Sequence, residues 1–184
     1  MELTEKKIKS NVIYNGRILN VKCDDVLLPN GEESKREVIE HNGGSCVLAI
    51  REDKILFVKQ FRYAVNEILY EIPAGKLEKG EDPKETAIRE LNEEGGLIAK
   101  DLSLLYVMYP TPAYTEEKIY IYKAEEFVSG KMHLDDNEFL VNEWIDCDTA
   151  YKMTLDGRIK DAKTIIAVQR HWLEKFTQHV NVKK

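Results

Sequence analysis

Long apolar runs are missing from this sequence of 184 residues. A membrane-spanning helix needs roughly 18 consecutive apolar residues, and no stretch of the sequence approaches that length. The first residues, MELTEKKIKS, also lack the hydrophobic segment of a secretion signal. We therefore expect a cytoplasmic protein that neither enters the secretory pathway nor binds membranes.

Cysteine is also scarce. Cys23, Cys46 and Cys147 are odd in number and far apart, and no C-x-x-C pair occurs. This spacing argues against a disulfide framework and against a cysteine-based zinc site, because both need matched pairs of thiols. We expect three reduced thiols that serve in packing.

Positive charge is in deficit. Lys and Arg number 27 against 33 Asp and Glu, which gives a formal net charge of -6. A nucleic-acid partner requires clustered positive charge, so none is expected. An anionic small molecule would need a local basic pocket or bound metal cations. The chain is 43% hydrophobic, which predicts one core domain with a small appendage.

Short apolar runs alternate with turn formers near the amino end. NG at residues 15–16 and PNG at residues 29–31 are typical turns between strands, so this region predicts an antiparallel β-meander. We assign residues 1–44 to the meander and residues 45–184 to the main domain. Its strand edges need covering, and a second copy of the chain would cover them, so we expect a homodimer.

The main domain alternates strands with helices. Residues 45–50 and 54–59 predict a hairpin at the centre of a sheet, and residues 68–72 predict a further strand. Helices are predicted over residues 83–94 and, from an amphipathic pattern, over residues 161–176. This order predicts a mixed α+β or an α/β/α layered fold.

Acidic side chains crowd the first of these helices, which Asp82 caps and a Gly-Gly pair ends. Glu90 and Glu94 share a face, with Glu93 beside them. Like charges at this spacing repel unless a cation lies among them, and Mg²⁺ or Mn²⁺ accepts carboxylates and backbone carbonyls, such as that of Ala74, as ligands. Taken alone, the pattern is more typical of a solvated helix face than of a metal site.

The full spacing resembles the signature of a known family. Residues 75–97 read Gx5Ex7RELxEExGL, which matches the box of the Nudix hydrolases, Mg²⁺-dependent enzymes that cleave nucleoside diphosphates linked to another moiety. The segments REVIEH, KQFRYAVNE, EIPAGKLEKGE, YPTPAYTEEKIYIY and DAKTIIA resemble the ADP-ribose pyrophosphatase branch. The resemblance implies the Nudix fold, an α/β/α sandwich with a mixed central sheet, preceded by the antiparallel meander.

The resemblance also implies roles for individual residues. The implied metal ligands are Glu90, Glu93, Glu94 and the carbonyl of Ala74, with Mg²⁺ or Mn²⁺ as cofactor. Glu81 and Arg89 would orient these carboxylates. Glu93 is counted with the catalytic residues as well.

A general base must deprotonate the attacking water. The family pattern places an acidic residue just before the last strand, which indicates Glu138, and Asp135 and Asp136 are the alternatives. A solvated acidic turn is the competing interpretation of this segment.

Candidate substrate-binding residues lie outside the box. They are Arg36, Arg62, Glu71, Pro112 and Tyr114. An arginine offers a guanidinium fork to phosphate, and a tyrosine can stack on adenine or ribose. By resemblance, Pro112 marks the ADP-ribose branch and Arg36 reaches the partner's site in a dimer. The chain has TPAY at residues 111–114, where the family often has Ser-Pro-Gly-aromatic.

The resulting hypothesis is a homodimeric, Mg²⁺-dependent hydrolase of a nucleotide sugar that cleaves ADP-ribose to AMP and ribose 5-phosphate. One alternative is the same reaction on ADP-glucose or GDP-mannose. Another is an ADP-ribose sensor that binds without hydrolysis. An intact set of box carboxylates favours an enzyme over a sensor, because a sensor does not need them.

Overall fold

The computed structural model describes residues 2–134 and 136–181, with side chains as far as residue 177. Asp135, one of the candidate bases, lies outside the described residues. The chain forms two compact units. The first ends at Gly43 and also includes Tyr109–Lys118, a segment that the predicted division at residue 44 did not contain. The second comprises Gly44–Met108 and the chain from Ile119 onward.

The first unit is an antiparallel sheet with one added segment. Its strands are β1 (Lys6–Asn15), β2 (Asn20–Leu27) and β3 (Glu33–Glu40), paired in that order. Gly31, in the turn after β2, has a φ of 87°, a left-handed conformation that glycine adopts without steric cost. Ile39 of β3 donates its N–H to the carbonyl of Tyr114 at 2.7 Å, which joins Tyr109–Lys118 to the sheet. The predicted antiparallel meander is confirmed.

The edge strand β1 exposes apolar side chains. The exposed residues include Ile8, Val12, Ile13 and Tyr14. Val12 and Ile13 are neighbours in sequence and both are exposed, so neither face of β1 buries its apolar side chains at this point. A register shift between Val12 and Tyr14 interrupts the pairing with β2 here.

The second unit contains the main sheet. Its strands are β4 (Gly44–Arg51), β5 (Lys54–Arg62), β6 (Glu67–Glu71), β7 (Ala74–Lys76), β8 (Leu97–Ala99), β9 (Ser103–Met108), β10 (Ile119–Ala124), β11 (Phe127–Ser129) and β12 (Leu140–Asp146). The order is β12-β5-β4-β10-β9, with β6 paired to β5 and β7 to β4, while β8 and β11 form a small separate sheet. β4 and β10 are parallel and β4 and β7 antiparallel, so the sheet is mixed, as predicted.

Helices cover both faces of the main sheet. They are α1 (Pro83–Gly95), α2 (Cys147–Leu155) and α3 (Ala162–Asn181). On one face Val47 and Leu56 pack with Leu91 of α1, and on the other Leu48 packs with Val168 of α3. Consecutive residues of β4 point to opposite faces, and its continuous apolar run serves both cores. The predicted α/β/α sandwich is confirmed.

The predicted α1 agrees closely with the structure. Asp82 accepts the N–H of Lys84 at 2.8 Å, and Gly96 ends the helix at a φ of 64°. The 45–50 and 54–59 hairpin is also present, but only two residue pairs of β4 and β5 are formed, because β4 continues between β7 and β10.

Helix α2 was not predicted. It follows β12 directly, with Asp146 accepting the N–H of Thr149 at 3.0 Å as its N-cap, and no glycine or proline separates strand from helix. Glycine and proline had marked the turns of the meander and the ends of α1, and no such residue marks the start of α2.

Cys23, Cys46 and Cys147 are free, as expected. Burial raises the pKa of the Cys46 and Cys147 thiols to about 12, which makes both unreactive. In the part of the chain that the structure describes, no helix has the length and apolar character needed to cross a membrane.

Candidate active site

Helix α1 packs its carboxylates against the start of β7. Glu94 accepts the N–H of Ala74 through Oε2 at 2.8 Å. A Cβ on Gly75 would lie 1.9 Å from Oε1 of Glu90, so a larger residue at this position would displace the Glu90 carboxylate. Ala74 and Gly75 therefore lie next to helix carboxylates that are 15 to 20 residues further along the chain.

Arg89 holds the carboxylates on the exposed side of this site. Its guanidinium donates to Glu81 at 3.1 and 3.2 Å, to Glu90 at 2.7 Å and to Glu93 at 2.9 Å. A further bond at 3.3 Å goes to the carbonyl of Lys76 in β7. One arginine thus fixes three carboxylates and ties the helix to the strand, which is the supporting arrangement expected for Glu81 and Arg89.

Glu90 and Glu94 lack enough neighbouring positive charge to balance their own. Burial, together with the charges of Glu93 and Glu138, raises the pKa of Glu90 to about 7 against the opposing effect of Arg89. Burial likewise raises the pKa of Glu94 to about 8, although the N–H of Ala74 lowers it. Buried carboxylates without a full counter-charge are costly, and a divalent cation would supply the missing charge.

The available donors suit a hard cation. Carboxylate oxygens of Glu90 and Glu94, with the nearby carbonyl of Ala74, are the ligand types that Mg²⁺ and Mn²⁺ prefer. Among the described residues, no three His, Cys, Asp or Glu side chains are already grouped as a complete metal cage. Instead, oxygens of Glu90 and Glu93 are bonded to Arg89.

Glu138 lies close enough to act on the helix carboxylates. Its charge raises the pKa of both Glu90 and Glu94, and Gln60 of β5 donates its side-chain N–H to Oε1 of Glu138 at 3.2 Å. Asp136, the alternative base within the described residues, is exposed. The structure therefore brings Glu138 to the site by a contact that the sequence analysis did not contain.

Arg62 and Glu71 form a tight pair beside the site. Arg62 donates through Nε and Nη2 to the two oxygens of Glu71 at 2.6 and 2.8 Å, and Lys163 donates to Glu71 at 2.5 Å. Burial alone would raise the pKa of Glu71, but these two cations lower it to about 2. Both oxygens of Glu71 accept hydrogen bonds from these cations. Arg62 remains partly exposed, and its charge lowers the pKa of Glu94.

Asn142 makes a further contact that was not predicted from the sequence. Its Nδ2 donates to the carbonyl of Glu94 at 2.8 Å, which fastens the last turn of α1 to β12, and its buried Oδ1 has no partner among the described residues. Gln60 could have been found from the alternation of strand side chains, because Gln60 and Arg62 are two apart on β5. No local signal identified Asn142.

The remaining predicted substrate residues belong to the first unit. Arg36 of β3 donates to Glu5 at 2.5 Å, to the carbonyl of Lys35 at 2.8 Å and to Ser34 at 3.2 Å. Pro112 and Tyr114 are in the added segment, and the Tyr114 side chain is exposed. The described second unit thus contains Ala74, the box carboxylates, Arg62, Glu71 and Glu138, and the first unit contains the other three.

Comparison with known proteins gives consistent matches. Residues 40–171 match the NUDIX domain, and residues 5–39 match the nucleoside diphosphate sugar hydrolase N-terminal domain. An ADP-ribose pyrophosphatase of Bacillus subtilis (strain 168) is 40% identical over 96% of this chain and 97% of its own length. The methanol dehydrogenase activator of Bacillus methanolicus is 41% identical over 95% and 96%. The crystal structure of an ADP compounds hydrolase superposes with a TM-score of 0.82 at 21% identity, covering 95% of this chain and 97% of that one.

Proposed function

The chain belongs to the NUDIX family and is a Nudix hydrolase, and we propose that it cleaves the pyrophosphate of ADP-ribose to AMP and ribose 5-phosphate. The observation that carries this proposal is that Glu90 and Glu94 are buried next to the turn at Ala74 without enough positive charge to balance them. The charge of Arg62 also acts on Glu94. The choice of ADP-ribose is supported by relatives named ADP-ribose pyrophosphatase, including one of Mycobacterium tuberculosis that is 31% identical over 88% of this chain.

Glu90, Glu94 and the carbonyl of Ala74 would hold Mg²⁺ or Mn²⁺, with Glu93 as an additional ligand once Arg89 releases it. When bound, such a cation supplies positive charge that polarises the phosphoryl oxygens. Until the ion binds, Arg89 holds the carboxylates of Glu90 and Glu93 in place.

In the proposed reaction, Glu138 is the general base. It accepts a proton from the attacking water as the water oxygen bonds to one phosphorus and the bridging P–O bond breaks, and the departing phosphate keeps the electron pair. Gln60 orients the carboxylate of Glu138 through its N–H. Arg62, with Glu71 behind it, donates to the phosphate oxygens and stabilises their charge.

The remaining candidate substrate-binding residues belong to the first unit. Arg36 would donate to phosphate and Tyr114 would stack on the adenine beside Pro112. We also propose a homodimer through the exposed apolar side chains of β1, with Arg36 serving the partner's site. The free cysteines are in keeping with a cytoplasmic location.

Product analysis with a panel of nucleotide sugars tests the proposed substrate. We expect Mg²⁺-dependent release of AMP from ADP-ribose with a kcat/KM at least about tenfold above those for ADP-glucose and GDP-mannose, a discrimination of the size that pocket contacts supply. Equal turnover of the three would assign the enzyme to nucleotide sugars in general. Binding of ADP-ribose without any product would instead establish a sensor and refute hydrolysis.

A further inference from the structure

The first turn of α3 contacts the candidate site through buried polar groups. Asp161, Lys163 and Thr164 belong to the DAKT segment at residues 161–164, whose role the proposed reaction leaves unassigned. The Lys163 side chain is only 11% exposed, and Thr164 is fully buried. A lysine is rarely buried unless it is paired, so this one has a specific task in the fold.

Lys163 shares one carboxylate with Arg62. Its ammonium donates to Oε2 of Glu71 at 2.5 Å and to Asp161 at 3.0 Å, while Arg62 spans both oxygens of Glu71. Glu71 is buried, so its charge is poorly screened by water and acts strongly on both cations. Lys163 therefore takes up part of the negative charge that would otherwise fall on Arg62 alone.

The same turn also supports the other side of the site. Thr164 accepts the N–H of Ile72 at 3.0 Å and donates to Asp161 at 2.6 Å. Two residues later, Ala74 donates its N–H to Glu94 of α1. The short segment from Ile72 to Ala74 is thus held by α3 at one end and by α1 at the other.

We propose that Lys163 is a positioning residue for the pyrophosphate site, holding Glu71 so that Arg62 keeps its orientation and part of its positive charge toward the substrate phosphates. This inference rests on the proposed function. With Lys163 present, Glu71 is bonded to two cations, and the second carboxylate of the cluster, Asp161, is bonded to Lys163, so Glu71 offsets only part of the charge of Arg62. Without Lys163, Glu71 neutralises Arg62 and draws the guanidinium toward the protein interior.

The test compares substitutions of two lysines, each of which pairs with a glutamate of β6. Lys160 precedes α3 and pairs with Glu67 of β6 at 2.5 Å. Glu67 lies opposite Arg62 in the β5–β6 pairing, but the Lys160–Glu67 pair is exposed and the side chain of Arg62 bonds to Glu71, so Lys160→Met is the matched control. We expect Lys163→Met to raise the KM for ADP-ribose about tenfold, a loss comparable to one charged hydrogen bond, with kcat changed less than about threefold. Lys160→Met should leave both constants unchanged.

A double-substitution cycle separates positioning from a merely structural role. If Lys163 acts through Arg62, then Lys163→Met adds little to the KM of an Arg62→Ala enzyme, whereas independent effects would multiply. A full Lys163→Met effect in the Arg62→Ala background overturns the inference. So does a KM that matches that of Lys160→Met.

Two further measurements cover the remaining outcomes. If Lys163→Met does not fold, Lys163→Gln is used instead, because it keeps a hydrogen-bond donor without the charge. We expect it to raise the KM as well, and failure of both variants to fold overturns the inference.

If the wild-type protein releases no AMP, the proposed function fails, and calorimetric titration with inorganic pyrophosphate decides the inference separately. Weaker binding by Lys163→Met alone supports it, and equal or absent binding overturns it.

Discussion

At the residue scale, Gly75 determines how closely β7 approaches α1. A methyl group there would overlap the carboxylate of Glu90, with its nearest atom 1.9 Å away. The glycine has no positive φ, so its small size is what the site requires, and its conformational freedom is not needed. The box glycine is therefore part of the geometry of the candidate site.

We expect Gly75→Ala to displace Glu90 and lower kcat/KM about 100-fold, because displacements of about 1 Å at a reacting centre have effects of this size. Gly80→Ala is the control: it lies in the same stretch at a φ of 85°, with open space around it, so it should cost stability and little activity. Steady-state kinetics at several Mg²⁺ concentrations, with thermal melting, distinguish the two. Equal kinetics for both variants would contradict the proposed role of Gly75.

Glu138 is the second residue whose role can be decided by substitution. Its charge acts on both buried glutamates, whereas Asp136 is exposed. We expect Glu138→Gln to lower kcat by about 10² to 10⁴, the usual range for loss of a general base, and Asp136→Asn to leave kcat nearly unchanged. Single-turnover measurements with ADP-ribose check this. The reverse result would transfer the role of base to Asp136.

At the scale of elements, α1 supplies the carboxylates of the candidate site, and α3 holds the neighbouring strand β6 in place. α1 is capped at both ends and brings its buried acidic face to β7, while the first turn of α3 holds the end of β6 through Glu71 and Ile72. These links join elements that are far apart in the chain, since Lys163 and Glu71 are separated by 92 residues. The support is electrostatic and so depends on pH.

The β6–α3 link makes a specific prediction for acid stability. The pKa of Glu71 falls from 4.5 to about 2 on folding, so its stabilisation is complete above pH 4.5 and is lost as the pH falls toward 2. The full shift corresponds to about 3 kcal/mol. We expect Glu71→Gln to be less stable than wild type at pH 7, and the difference to shrink between pH 4.5 and 2.

Urea unfolding at a series of pH values measures this difference directly. Glu67→Gln, which removes an exposed partner of Lys160 on the same strand, is the control and should change the free energy of unfolding by less than about 1 kcal/mol. A constant difference between wild type and Glu71→Gln from pH 7 to pH 2 would show that Glu71 does not titrate as inferred.

At the scale of the whole molecule, the chain consists of two compact units, and each contains different candidate site residues. The second contains the carboxylates, Arg62 and Glu138, and the first contains Arg36, Pro112 and Tyr114. In the described residues, the edge strand β1 of the first unit leaves several apolar side chains exposed. Exposed apolar groups on an unpaired edge favour association with another chain.

We expect the wild-type protein to sediment as a dimer of the 21.3 kDa chain and Val12→Asp to shift it to monomer, because a charge on β1 opposes burial of this strand. Val107→Asp, at an exposed position of β9, is the control and should remain dimeric. Sedimentation velocity at several concentrations measures the masses. A monomeric wild type, or dissociation by both variants alike, would refute dimerisation through β1.

Particular residues show how far prediction from the sequence could go. Asp82 and Gly96 located α1 because capping is a local property, and β4 and β5 were found from apolar runs. Glu71 was predicted to line the substrate pocket, and the structure shows its carboxylate bonded to Arg62 and Lys163. Helix α2 was missed because its start has no glycine or proline to mark it.

The sequence by itself identified the reaction class through its resemblance to the Nudix box, because all the box residues lie within one strand-turn-helix segment and can be recognised by their spacing. It also determined the α/β/α layering, since period and punctuation are local. Only the tertiary structure decided that Gln60 meets Glu138 and that Lys163 supports Arg62 through Glu71. Those contacts join residues as many as 92 positions apart, and such pairings depend on packing of the whole sheet with α3, which no local pattern specifies.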